Sequence, residues 1–96
     1  MATIDVKYEH SLPIAEAAQK LRIIIDDFQE KNSDFVQSVS WETDGLSALA
    51  TGNGFVARFR VDERQAQIEV DLNLMLRPFK KKITERLERK LEEVLS

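Results

Sequence analysis

The first third of the chain carries two different hydrophobic periods. Between residues 4 and 9, apolar and charged side chains alternate, which predicts a half-buried strand. Between residues 14 and 28, apolar residues recur every three or four positions, which predicts an amphipathic helix that ends near Asn32. We expect Ser11 to be the N-cap of this helix, with Pro13 in its first turn, because a serine hydroxyl accepts hydrogen bonds from free backbone N–H groups.

Residues 35–74 are predicted to form four short strands joined by three tight turns. An Asp-Gly pair at 44–45 and a Gly-Asn pair at 52–53 are typical of two-residue hairpins, and a third turn falls near 63–64. The expected cross-strand pairs are Trp41 with Ala48 across the first turn, Ala50 with Phe55 and Ala48 with Ala57 across the second, and Phe59 with Ile68 and Ala57 with Val70 across the third. These pairings direct the apolar residues to one face of the sheet and leave a polar face opposite.

The element order is therefore β-α-β-β-β-β-α, in one domain of residues 1–96. We expect an α+β two-layer sandwich with a five-stranded, mostly antiparallel sheet, the first strand beside the last and both helices on one face. This architecture resembles a shortened helix-grip domain.

Three small residues on the covered face raise the question of a cavity. Ala48, Ala50 and Ala57 leave room beneath a helix, and Trp41 and Phe55 belong to the same face. Two interpretations stay open: close helix–sheet packing with Trp41 as core filler, or a small apolar ligand pocket lined by these five residues.

The last helix has a regular apolar stripe but an unusual charge at its start. The stripe recurs every three or four residues from Phe79 to Val94, and Pro78 suits the first helical position. Three lysines follow at 80–82, although a helix N-terminus carries partial positive charge and favours Asp or Glu.

Two interpretations of this basic stretch also stay open. We expect either a solvated basic turn, or an anion site in which Arg77, Lys80 and Lys81 surround free backbone N–H groups. The stripe suits packing on the sheet, and it also suits binding at an apolar interface.

Composition and charge bear on which classes of function this chain can have. The chain has no cysteine, and its single histidine, His10, adjoins Ser11 without a third orienting group, so we expect no catalytic residue, cofactor or metal. The net charge of the whole chain is −3, whereas residues 77–96 alone carry a net charge of +3. Positive charge limited to one short segment differs from the broad basic face of a nucleic-acid-binding protein. The start MATIDVKYEH lacks the pattern of a signal peptide and no apolar run is long enough to cross a membrane, so we expect a cytoplasmic protein.

Three motifs carry a resemblance to a known family. They are the run Leu76-Arg77-Pro78-Phe79-Lys80, the hairpin Trp41-Glu42-Thr43-Asp44-Gly45-Leu46 and the triplet His10-Ser11-Leu12. Over residues 3–95 the chain is similar to the polyhydroxyalkanoic acid system protein family, also called the polyhydroxyalkanoate granule-region family.

The resemblance implies a small cytoplasmic protein associated with polyester storage, and it supplies no catalytic residue. Because the sequence also lacks a catalytic motif, we expect a non-enzymatic accessory or binding protein of bacterial polyhydroxyalkanoate storage, with the granule surface or a granule protein as partner. If the basic stretch is an anion site, the charge placement and this family context together favour a phospholipid head group, an acyl-CoA phosphate or an acidic protein segment as the anion. The alternatives are a carrier of small hydrophobic acyl ligands, of helix-grip type, and a protein–protein interaction module. The oligomeric state stays open.

Overall fold

The computed structural model describes residues 3–95 and confirms the α+β fold. The elements are β1 (Ile4–Glu9), α1 (Ile14–Lys31), β2 (Val36–Trp41), β3 (Ser47–Gly52), β4 (Phe55–Val61), β5 (Gln65–Leu72), a one-turn 3-10 helix (Arg77–Phe79) and α2 (Lys80–Leu95). The strands form one open sheet in the order β1-β5-β4-β3-β2, with every pair antiparallel. The first strand therefore lies beside the last, as the hydrophobic pattern predicted.

Two of the three predicted hairpin registers are confirmed, and the middle one is wrong by two residues. Trp41 pairs with Ala48, and the β4–β5 pairs all match the prediction. Across the middle hairpin, however, Ala50 pairs with Ala57 and Ala48 with Phe59. Because side chains alternate with period two, a two-residue shift leaves every residue on its predicted face.

A glycine that is required for close packing explains the shifted hairpin. Gly52 pairs with Phe55 inside the ladder, and a Cβ at this position would overlap the Phe35 carbonyl oxygen and the Phe55 ring. The turn residues are instead Asn53 and Gly54, and Gly54 takes the positive φ of +95°. The first glycine thus provides close approach and the second provides backbone freedom.

The β4–β5 turn needs no glycine because an aspartate closes it. The Asp62 carboxylate accepts hydrogen bonds from the backbone N–H groups of Arg64 and Gln65, both at 2.8 Å. These hydrogen bonds lower the pKa of Asp62 below its usual value, and the bond from the Arg64 N–H has the larger effect. Such a side-chain turn is a common use of aspartate.

The predicted serine cap is wrong, and a histidine organises this segment instead. Helix α1 begins at Ile14, so Ser11 lies two residues before the Pro13 cap position and makes no capping bond. The backbone N–H of Leu12 donates to His10 Nδ1 at 3.1 Å, so His10 Nε2 donates to the Asp62 carbonyl oxygen at 2.8 Å. His10 therefore ties the start of α1 to the β4–β5 turn.

Both helices cover the apolar face of the sheet. The largest fully buried side chains come from both layers: Phe59, Leu21, Ile25, Ile68 and Leu91. On the opposite face, Arg58 lies across from Glu69 as predicted, but its ion pair goes diagonally to Asp71, at 2.8 Å. The core thus lies between helices and sheet, and the other sheet face meets solvent.

Candidate functional site

An apolar cavity of about 180 Å³ lies between the end of α1, the start of α2 and strands β4 and β5. Its walls include four phenylalanines, which are Phe28, Phe35, Phe55 and Phe59. The remaining walls are aliphatic, apart from Asn32 and Asn53. The site is therefore an apolar chamber with two uncharged polar groups.

Aromatic packing holds one wall of the cavity in place. The Phe28 ring meets the Phe55 ring edge-on, with centroids 5.8 Å apart, and lies tilted against Phe59 at 5.9 Å. Edge-to-face pairs of this kind are favourable beyond their buried area. Phe28 thereby joins the end of α1 to β4 and forms one wall of the cavity.

The cavity persists because only one end of α2 is tightly packed. Leu91 and Leu95 are buried near its C-terminus, whereas Ile83 and Leu87 are half-buried and line the cavity. At the start of the stripe, Phe79 is 53% exposed. The predicted stripe thus covers the sheet, but its fully buried residues lie toward the C-terminus of the helix and its most exposed one, Phe79, at the start.

An ion-pair network fixes the packed end of α2 to α1. The Asp27 carboxylate lies 3.1 Å from Lys90 Nζ on α2 and 3.4 Å from Lys31 Nζ on its own helix. The hydrogen bond from Lys90 is the main reason why the pKa of Asp27 lies below its usual value. The two helices are therefore joined one turn beyond the cavity.

The structure brings together two of the five predicted pocket residues. Phe55 and Ala57 line the cavity. Ala48 and Ala50 are buried elsewhere in the core, and Trp41 lies under α1, with the Arg22 guanidinium carbon 4.5 Å from its ring centroid. Helix α1 thus reaches Trp41 on β2 through Arg22, whereas the cavity lies over β4 and β5.

Sequence reasoning missed most of the other cavity walls. Phe35 precedes β2 and Leu76 precedes the 3-10 helix, so neither belongs to a periodic element. The available signal was a bulky apolar residue just outside an element, beside asparagine or glycine turns. Such residues commonly pack against the end of a core.

The basic stretch at the start of α2 lies next to this cavity along the chain. Arg77, Lys80 and Lys81 are all exposed, as is Lys82, and we call these four residues the basic turn. Neither the 3-10 helix nor α2 has an acidic residue in its first turn. Among residues 3–95, none of the ion pairs within 4 Å involves the basic turn.

The expectation of free backbone N–H groups at this turn is wrong for the groups that the structure accounts for. The N–H of Arg77 bonds to the Asn73 carbonyl oxygen at 3.2 Å, and that of Phe79 to the Leu76 oxygen at 3.0 Å. The N–H of Lys80 bonds to the Arg77 oxygen, and Pro78 has no N–H. The tight 3-10 turn therefore occupies these three donors, and an anion cannot bind to them without breaking its hydrogen bonds.

Helical geometry separates the lysines of the basic turn. Lys80 precedes Ile83 by three residues and Leu87 by seven, so it lies on the face that lines the cavity. Lys82 is next to Ile83 in sequence and therefore lies about a quarter turn away. Lys80 is thus the lysine of this turn that continues the cavity face.

Large apolar side chains in the same segment are exposed to solvent. Leu74 is 77% exposed and Met75 is 81% exposed, and with Phe79 they form what we call the apolar tip. The tip and the basic turn interleave within residues 74–82. Clustered exposed apolar residues usually mark a binding surface.

Neither a metal-binding cluster nor a membrane-spanning helix is found in the described part of the chain. No group of three His, Cys, Asp or Glu side chains within residues 3–95 converges as metal ligands would. Nor does any helix in that range have the length and apolarity to span a membrane.

A comparison with protein families shows which family this chain belongs to. The matching family model covers residues 4–95. The chain belongs to the family described as "putative polyhydroxyalkanoic acid system protein". The match confirms the resemblance to this family, and the family's description refers to a polyhydroxyalkanoic acid system.

Comparisons with curated proteins and with solved structures gave no significant match.

Proposed function

We propose that this protein is a non-enzymatic, cytoplasmic binding protein of polyester storage that attaches to the granule surface through its apolar tip and basic turn. The observation that supports this role is the exposure of Leu74, Met75 and Phe79 among four cations. Family membership supplies the polyester context.

The physical argument rests on two kinds of side chain in one short segment. Apolar side chains that leave water for an apolar surface gain about 25 cal/mol per Å². Each nearby Lys or Arg adds about 1 kcal/mol of attraction where that surface carries anionic head groups. The tip and the basic turn would therefore act together at an apolar surface with anionic groups.

The charge distribution would also orient the protein on such a surface. Residues 77–96 carry seven Lys or Arg against four Glu, whereas residues 1–76 carry seven Lys or Arg against thirteen Asp or Glu. An anionic surface therefore attracts the start of α2 and repels the rest of the molecule. This asymmetry supports contact through the tip rather than through the polar sheet face.

Structural use of the titratable groups supports a non-enzymatic role. Both ring nitrogens of His10 are engaged in hydrogen bonds with backbone groups. The carboxyl pKa values with resolved shifts, at Asp27, Asp62 and Asp71, are lowered by ion pairs or hydrogen bonds. A carboxylic acid that donates a proton near neutral pH needs a raised pKa instead.

Granule fractionation with tagged protein tests the attachment. We expect the native protein in the granule fraction and the double variant Leu74→Ser, Met75→Ser in the soluble fraction. The matched control is Ile23→Ser, because Ile23 is an apolar residue on α1 that is 50% exposed and lies outside the tip. Native protein found only in the soluble fraction, or a double variant that stays on granules, would contradict the proposal.

Polyester particles without protein separate the surface from a protein partner. Binding to particles coated only with anionic phospholipid supports direct attachment through the tip. Binding that requires the protein coat of native granules would instead favour the protein–protein interaction module. The cavity is a separate observation, and it favours a second role in acyl-chain binding.

A further inference from the structure

We infer that the cavity beneath the start of α2 is a binding site for a medium-chain carboxylic acid, with its alkyl chain inside and its carboxylate at Lys80. This inference does not depend on granule attachment. It rests on the size of the cavity, the chemistry of its walls and the position of one lysine.

The size of the cavity selects a short chain. Its volume of about 180 Å³ slightly exceeds that of an engineered apolar cavity of about 150 Å³ that binds benzene. A guest of roughly six to eight carbon atoms therefore fills it. Longer chains would have to extend through the opening into water.

The walls exclude a charged group from the interior. The lining has no ionisable side chain, and of its two polar residues Asn32 donates its side-chain amide to the Phe28 carbonyl oxygen at 2.9 Å. A buried carboxylate would lose its hydration without a charged partner, which is costly. An acid bound here must therefore place its carboxylate at the opening.

The opening is bordered by exposed residues and by the start of α2. Phe35 and Asn53 line the cavity and are exposed, so the chamber meets solvent on their side. Leu76 and Ile83 line the cavity beside the basic turn. Lys80 continues the Ile83 face toward solvent, where a long, flexible ammonium side chain can meet an anion.

A methyl NMR titration with octanoate tests the site. We expect saturable shifts at the methyl groups of Ile68, Val70, Ile83 and Leu87. Affinity should rise about fourfold for each methylene from butanoate to hexanoate and level off near octanoate. Octanol should bind more weakly than octanoate. An absence of saturable shifts, or octanol binding equal to that of octanoate, would overturn the inference.

A filled cavity provides the first variant test. Ala57→Leu adds a branched side chain from a lining position and should abolish the octanoate shifts while the folded spectrum persists. Should Ala57→Leu fail to fold, Ile83→Phe fills the same space from a half-buried helical position. Undiminished octanoate binding in a folded filling variant would overturn the inference.

Two lysine variants with the same charge change test the carboxylate position. Lys80→Gln should weaken octanoate binding about two- to fivefold, the range for an exposed ion pair, and Lys82→Gln by less than twofold. Octanol affinity should not change in either variant. Equal losses of octanoate binding in both variants would overturn the assignment to Lys80.

The same measurements distinguish this site from the proposed granule attachment. The variant Leu74→Ser, Met75→Ser removes no lining residue and should bind octanoate normally after it leaves granules. Ala57→Leu should remain on granules after it loses octanoate. Loss of both activities in both variants would overturn the separation of a cavity from a surface site.

Discussion

The two ends of α2 differ sharply although they share one apolar repeat. At the C-terminal end, Leu91 and Leu95 are buried and Lys90 pairs with Asp27 on α1. At the N-terminal end, Phe79 is largely exposed and Ile83 lines a cavity. The packed end contributes stability, whereas the open end has an apolar space beneath it and exposed cations at its start.

This difference shows what helical periodicity measures. A repeat of apolar residues identifies the face of a helix that turns inward, but not how closely that face meets the next layer. Depth depends on the partner elements, and here Phe28 of α1 packs against Phe55 and Phe59 of β4 at the end where α2 begins. Low packing at one end of an element is a frequent property of binding regions.

The largest expected effect compares two leucines one turn apart. Leu91→Ala should reduce the free energy of unfolding by about 2–5 kcal/mol because Leu91 is fully buried, while Leu87→Ala should cost about 1 kcal/mol because that side chain is half-buried beside existing space. Urea denaturation of both variants measures the difference. Equal losses would show that the two ends of α2 are packed alike.

A pair of alanines sharpens the same comparison within the sheet. Ala50 and Ala57 are cross-strand partners, but only Ala57 lines the cavity. Ala50→Val should destabilise the protein by about 1–3 kcal/mol through overpacking, whereas Ala57→Val should be neutral or stabilising by up to about 1 kcal/mol. Thermal unfolding of both variants tests this difference. If Ala57→Val were the more destabilising of the two, the free space would not lie beside Ala57.

Reversal of one charge tests the open end of α2. Lys82→Glu should stabilise the fold by about 0.5–1 kcal/mol at low ionic strength, because it puts an anion in the first turn of the helix. The gain should shrink in high salt as the charges are screened. If granules bind through the basic turn, the same variant should bind them less well while it unfolds at a higher temperature.

The smallest effect concerns pH at the packed end. Since the pKa of Asp27 is lowered in the folded protein, its contribution to stability is present above its unfolded value and is lost as pH falls below about 4, through the folded value. Asp27→Asn should therefore destabilise the protein slightly at pH 7 and not at pH 2. A difference between native and variant proteins that is unchanged at pH 2 would contradict this assignment.

Much of the fold was predictable because strand alternation and hairpin turns are local signals. The middle hairpin shows the limit of such signals. Its face was predicted correctly, but its register depended on contact between Gly52 and Phe35, and that contact is created by the chain entering β2. The Ser11 cap failed for a related reason, because the His10 bond to Asp62 joins residues that are distant in sequence.

The candidate site was less predictable than the fold. The cations of the basic turn were evident in the sequence, and Phe55 and Ala57 were placed on the covered face. The positions of Phe28 and Phe35 relative to α2 were not predictable, because they depend on how α1, α2 and the start of β2 meet at one end of the molecule. The hydrogen bond from the Arg77 N–H to the Asn73 carbonyl oxygen is local, but the residue types in this segment did not indicate it.

The sequence by itself determined the element order, the inward face of each strand and helix, and the concentration of positive charge at the start of α2, because each follows from residues close together in the chain. The tertiary structure alone decided where space remains, since a cavity is a relation between surfaces of distant segments. It placed that space beneath Ile83 and Leu87, rather than beneath Trp41 and Ala48.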